Sequence, residues 1–123
     1  MRKKLFVGEF LLYPNLTKHA IARRDLEFTY TDGRIIFAKI WVWQAVELGP
    51  HNWRCPFLIQ TTHFQKESYC SGDDGMQALL LATHSISSHL TALERKFDGR
   101  FSQYGSDHGF PSLTEDTFPS SSA

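Results

Sequence analysis

A chain of 123 residues fits one domain, long enough to bury a modest core without disulfides or a structural metal. Its 13 basic and 13 acidic side chains cancel, which removes any broad attraction to nucleic acid or to an anionic membrane surface. Hydrophobic residues at 41% and charged residues at 21% are the proportions of a folded globular protein and exclude wholesale disorder.

The N-terminal "MRKKLFVGEFLLY" starts like a signal peptide, but Glu9 interrupts its apolar run and no small-residue cleavage site follows. No stretch approaches the roughly 20 apolar residues of a membrane span, so the expected location is the cytoplasm. Within it, residues 5–13 read as a short strand, because Gly8 argues against helix and Pro14-Asn15 ends the run.

Residues 19–48 have the form of a β-hairpin, two alternating runs around a turn that contains Gly33. A two-residue loop, Asp32-Gly33, would oppose Phe28 to Phe37 and Glu27 to Ala38, mixing charge with grease on both faces. A three-residue loop, Thr31-Asp32-Gly33 with Gly33 left-handed, instead opposes Tyr30 to Arg34, Phe28 to Ile36, Leu26 to Ala38 and Ala22 to Val42. It gathers Leu26, Phe28, Ile36, Ala38, Ile40 and Val42 on one face, and since a slip of one residue inverts every side chain, burial selects it. The other face then sets Arg23, Asp25, Glu27 and Thr29 against Trp41, Lys39, Phe37 and Ile35. Asp25 can pair with Lys39, and Arg23 can stack on Trp41.

Beyond a "GPHNW" loop, "RCPFLIQTT" opens a third strand, with Pro56 suggesting an edge or a strand beginning. "HFQKE" is the turn into a short fourth strand at "ESYC". Asp73 or Asp74 then caps a helix. From Met76 to Phe97 apolar residues recur every three or four positions (Met76, Leu79, Leu80, Thr83, Ile86, Leu90, Leu93, Phe97), and Arg95, Lys96 and Gly99 supply the stop. The expected fold is α+β: an antiparallel meander of four to five strands with one long amphipathic helix packed on one face. A single domain over residues 1–99 precedes a Ser/Gly/Pro-rich tail, 100–123, which Phe101, Tyr104, Phe110 and Phe118 would anchor.

Catalytic and metal signatures are weak. His84 and His89 on the helix point about 140° apart and lack a partner at i+4. His19, His51, His63 and His108 fall in loops or turns. Cys55 and Cys70 lack zinc-site spacing and read as reduced thiols, able to pair only if their strands are neighbours. The acidic "GDDG" would repel a phosphate, so a nucleotide site fails on its own charges. No cofactor and no metal is expected. The aromatic surplus of 14% remains to be placed. Phe37, Trp41 and Trp43 either lie beneath the chain's own ends, or form with Arg23 an exposed hot spot for another protein, or meet a second copy in a homodimer.

"IARRDLEF", "RCPFLI" and "GDDGMQALLLATHSISSHL" together resemble a family of small, functionally uncharacterised bacterial domains: a strand I-A-x-R-x-L, a strand C-P-[FY]-x-I and a helix G-x-D-x-x-Q-A-L-x-L-A. The matching positions are Ile21, Ala22, Arg24 and Leu26, then Cys55, Pro56, Phe57 and Ile59, then Gly72, Asp74, Gln77, Ala78, Leu79, Leu81 and Ala82. The resemblance implies no activity. Size and architecture also resemble those of bacterial immunity proteins. The expected function is non-catalytic binding of another protein, in concrete form a toxin or effector, through Arg23, Phe37, Trp41 and Trp43. The contrasting expectation is a small enzyme using His51, His63 or Cys55 in a cleft.

Overall fold

The computed structural model describes residues 20–112 together with the backbone of two short strands, β1 (Phe6–Val7) and β2 (Phe10–Leu11). The single strand expected over 5–13 is instead these two segments, paired antiparallel with each other. The rest of that stretch, His19 and Phe118 lie outside the described residues.

The hairpin of β3 (Ala20–Tyr30) and β4 (Ile35–Trp43) adopts the burial-selected register, with Phe28 opposite Ile36, Leu26 opposite Ala38 and Ala22 opposite Val42. Gly33 has φ +97°, as the three-residue loop requires, and its amide donates to the Tyr30 carbonyl at 2.9 Å. The Asp32 carboxylate accepts from the Arg34 amide at 3.0 Å, while the Arg34 guanidinium sits over the Tyr30 ring at 4.2 Å.

The end of the run expected as the hairpin's second strand is instead a separate strand, β5 (Val46–Gly49), and the expected loop shrinks to a tight turn before β6 (Asn52–Thr61), with whose start β5 pairs. Its side chains are largely exposed, so it lacks the alternation that marks a half-buried strand. Along β6, residues 53–60 pair with β7 (Gln65–Gly72) on one edge, while 52–54 pair with β5 and 57–61 with β4 on the other. β6 is therefore a central strand, contrary to the edge position Pro56 suggested. Proline is tolerated because the β5/β4 ladder breaks at Cys55-Pro56, where no partner residue needs its missing N–H. In that gap the Cys55 thiol donates to the Trp43 carbonyl at 3.3 Å.

The helix α1 (Gly75–Phe97) starts at Asp74, whose carboxylate accepts from the Gln77 amide at 2.8 Å, while the Gln77 side chain accepts from the Asp73 amide at 2.6 Å. It packs mainly over β6 and β7. Its buried line runs Ala78, Ala82, Ile86, Leu90 and Leu93, so Met76 and Leu80, expected in the core, are 66% and 49% exposed. Small residues decide this. A Cβ on Gly72 would lie 2.5 Å from the Ala78 nitrogen, so the helix start docks backbone to backbone, and the bulkier flank turns outward.

The sheet continues past residue 99, where the tail was expected to start. β8 (Gly99–Ser102) pairs with β3, setting Phe101 opposite Phe28. Phe101 is buried with its ring 4.7 Å from that of Phe28, and its amide donates to the Glu94 carboxylate at 2.9 Å. The result is an α+β fold, a six-stranded antiparallel sheet with one long helix on one face.

Candidate functional site

The residues proposed for partner binding lie along the sheet face away from α1, and burial divides them. Going along β4, Ile35 and Phe37 are 57% and 74% exposed, whereas Trp41 and Trp43 are only 6% and 4% exposed. The two indoles stack at 6.3 Å and form a second apolar cluster with the buried Leu58, flanked by Ala20 and Tyr69. The Trp41 indole N–H donates to the Gln60 side chain at 3.1 Å. The expectation that both tryptophans stand exposed is therefore corrected. Leu58 on β6 and Tyr69 on β7 present apolar surface to the same face beside them, and pairing across three strands is what makes the cluster.

Arg23 does lie over Trp41, at 5.4 Å, as expected. Its ion pair, however, is with Asp25 on its own strand at 2.9 Å, rather than Asp25 bonding the opposed Lys39. Phe37 stands between two shallow clefts. One, of about 260 Å3, is bordered by Asp25, Glu27, Ser102 and Tyr104. The other, of about 240 Å3, is bordered by Lys39, Gln60 and Thr62. Tyr104 is 94% exposed in the turn after β8.

Sequence reading missed a third feature, an apolar cleft of about 360 Å3 between the first half of β3 and the outward flank of α1. Leu79, Leu80 and Thr83 form its helical wall, and Phe110 from the C-terminal segment closes it. The available signal was the excess width of the helix's apolar stripe, which exceeds what one sheet face can cover.

The residues of the enzyme alternative are not brought together. His51 precedes β6 and His63 follows it, which separates them by the length of a ten-residue strand, about 30 Å. Cys55 is fully buried between them, and burial together with the neighbouring Cys70 pushes its thiol up to about 12. Such a thiol stays protonated at neutral pH and is a poor nucleophile. Cys70 is the direct cross-strand neighbour of Cys55, and both are free thiols. No group of three or more His, Cys, Asp or Glu among the described residues is placed to hold a metal ion. Among the described residues no helix is long and apolar enough to cross a membrane.

His89 packs its ring against Phe57 at 5.5 Å, and burial, aided by the charge of Lys66, holds its pKa below the ordinary 6.5. The fold thus favours the neutral ring, and stability is full above pH 6.5 and declines as pH falls through the window beneath it. Acidification from about pH 7 to about pH 5 is expected to lower the melting temperature, and His89→Gln to flatten that decline. An unchanged slope in thermal melts of the variant would remove this account.

Comparison with curated proteins and with solved structures finds no significant match in either. A family model does match, over residues 22–112, from the start of β3 to just past Phe110. The chain belongs to the family described as a domain of unknown function, DUF6968.

Proposed function

We propose that this domain is a non-catalytic protein-binding module that seats its partner on the outer sheet face around Phe37. The observation that carries the reading is the 74% exposure of Phe37 in the middle of a regular strand whose other aromatic residues, Trp41 and Trp43, are buried. An exposed aromatic ring with a cleft on each side suits an anchor, since partner side chains can fill both flanks and exclude water from the ring. Asp25, Glu27 and Lys39 provide a charged rim, and Arg23, held by Asp25, extends it. Trp41 and Trp43 serve as the rigid base of the surface instead of touching the partner.

In concrete form the module is a bacterial immunity protein or inhibitor that occupies a toxin or effector. The support for that form is likeness of size and of a one-sheet, one-helix architecture, which is analogy.

Phe37→Ala tests the reading. Stability is expected to stay within about 0.5 kcal/mol of wild type, because an exposed side chain is lost. Affinity for a partner captured by the wild-type protein from its native host should fall by about 2 kcal/mol in calorimetric titration. Undiminished affinity would sink the proposal. Loss of a wild-type homodimer in sedimentation, with no other partner captured, would reassign the surface to self-association.

A further inference from the structure

We infer that the cleft between β3 and α1 binds a small amphipathic anion, a medium-chain carboxylate whose tail lies along the apolar floor and whose head meets Arg24. Because the helix packs over β6 and β7, the helix-side face of β3 is left open at its start, with Ala22 exposed and Arg24 half-buried. Pairing also slips there. Ala20 opposes Trp43 and Ala22 opposes Val42, so Ile21 is the extra residue of a bulge, a device that re-aims a side chain. Ile21 and Leu80, 51% and 49% exposed, border the cleft from strand and helix. Its volume, about 360 Å3, falls at the lower end of the range of small-ligand clefts, which suits a single alkyl chain such as that of decanoate. Water in so apolar a space finds few hydrogen-bond partners and is readily displaced.

Arg24 decides the charge of the ligand. Its guanidinium donates to the His108 carbonyl at 3.1 Å and lies over the Phe110 ring at 4.6 Å. Gly109 between them has φ +81°, and a Cβ there would come within 2.9 Å of the Arg24 Nη1, so the backbone can wrap the cation only at a glycine. This strap meets Arg24 with a carbonyl and a ring, while the Asp107 carboxylate at its start accepts from the Gly109 amide at 3.0 Å and forms no ion pair with the cation. Arg23, which also borders the cleft, is paired with Asp25, and the other ion pair among the described residues is Arg34 with Asp32 in the hairpin turn. Among the described residues Arg24 thus has no ion-pair partner at the edge of an apolar cavity, and a carboxylate is its complement in charge and in fork geometry. A neutral alkane would leave the cation unmatched, and a dianion would bring a surplus charge into an apolar space.

Titration of the full chain with decanoate, below its micelle-forming concentration, tests the site by amide chemical shifts. Saturable shifts are expected at Ala22, Arg24, Leu80 and Phe110, with decanol binding about tenfold more weakly. Arg24→Gln should abolish that preference and Arg24→Lys should retain it. Because Arg24→Gln also releases the strap, Leu80→Glu provides a second arm: it alters a half-exposed lip, keeps the fold, and should weaken decanoate binding by about tenfold or more. Shifts confined to another surface, equal affinity for decanol, or no saturable shift would overturn the inference. So would a preference for decanoate that survives Arg24→Gln.

Discussion

Trp41→Ala is expected to cost about 3 to 5 kcal/mol of folding stability, the range for removing a buried aromatic side chain. Trp41 is 6% exposed, stacked on Trp43 and packed in the cluster that contains Leu58. Truncation opens a cavity that two rigid neighbouring strands cannot close, and it strips the Gln60 side-chain oxygen of its indole donor. For a small domain whose whole margin is about 5 to 15 kcal/mol, such a loss lowers the thermal midpoint sharply. Chemical denaturation of the variant beside Phe37→Ala separates the two roles of the outer face. The Trp41 variant should lose stability, the Phe37 variant only its partner. If Trp41→Ala instead kept its midpoint and lost a partner, the second apolar cluster would be a docking surface after all.

Gly99→Ala should destabilise the fold by about 1 to 3 kcal/mol, although glycine just past a helix invites a different reading. Capping is performed by Asp98, which adopts φ 54° and returns its amide to the Glu94 carbonyl. Gly99 is instead the first residue of β8. A Cβ there would meet the Phe28 ring at 2.4 Å and the Thr29 carbonyl oxygen at 2.7 Å. The ring is fully buried and the carbonyl belongs to a paired strand, so neither can retreat cheaply. The neighbouring substitution Asp98→Gly should raise stability, because it relieves the left-handed strain of a residue bearing a side chain. Opposite signs at adjacent positions are the signature of this arrangement. A neutral Gly99→Ala in equilibrium unfolding would show that Phe28 can move.

The hairpin register, the helix and the fold class were legible in the chain because each rests on short-range rules. A left-handed Gly33 sets the loop length, a one-residue slip would bury Glu27, and Asp74 with Gln77 closes the first helical turn. The family resemblance was legible for similar reasons: Gly72, Ala78 and Ala82 permit close helix docking, and Cys55, Phe57 and Ile59 are core. Which apolar residues are covered was not legible, since it depends on strands far apart in sequence. Trp41 and Trp43 look like Phe37 when β4 is read alone, and among the described residues their packing with each other and with Leu58, Ala20 and Tyr69 is what sets that end of the strand apart. Met76 and Leu80 look like Leu90 in the helical repeat, yet the lateral offset of α1 toward β6 and β7 leaves them outside and opens the cleft beside Arg24. Local backbone preference and alternation thus determined the elements and their pairing. Burial is a property of neighbours brought together by folding, so the location of any binding surface was decided by the tertiary structure alone.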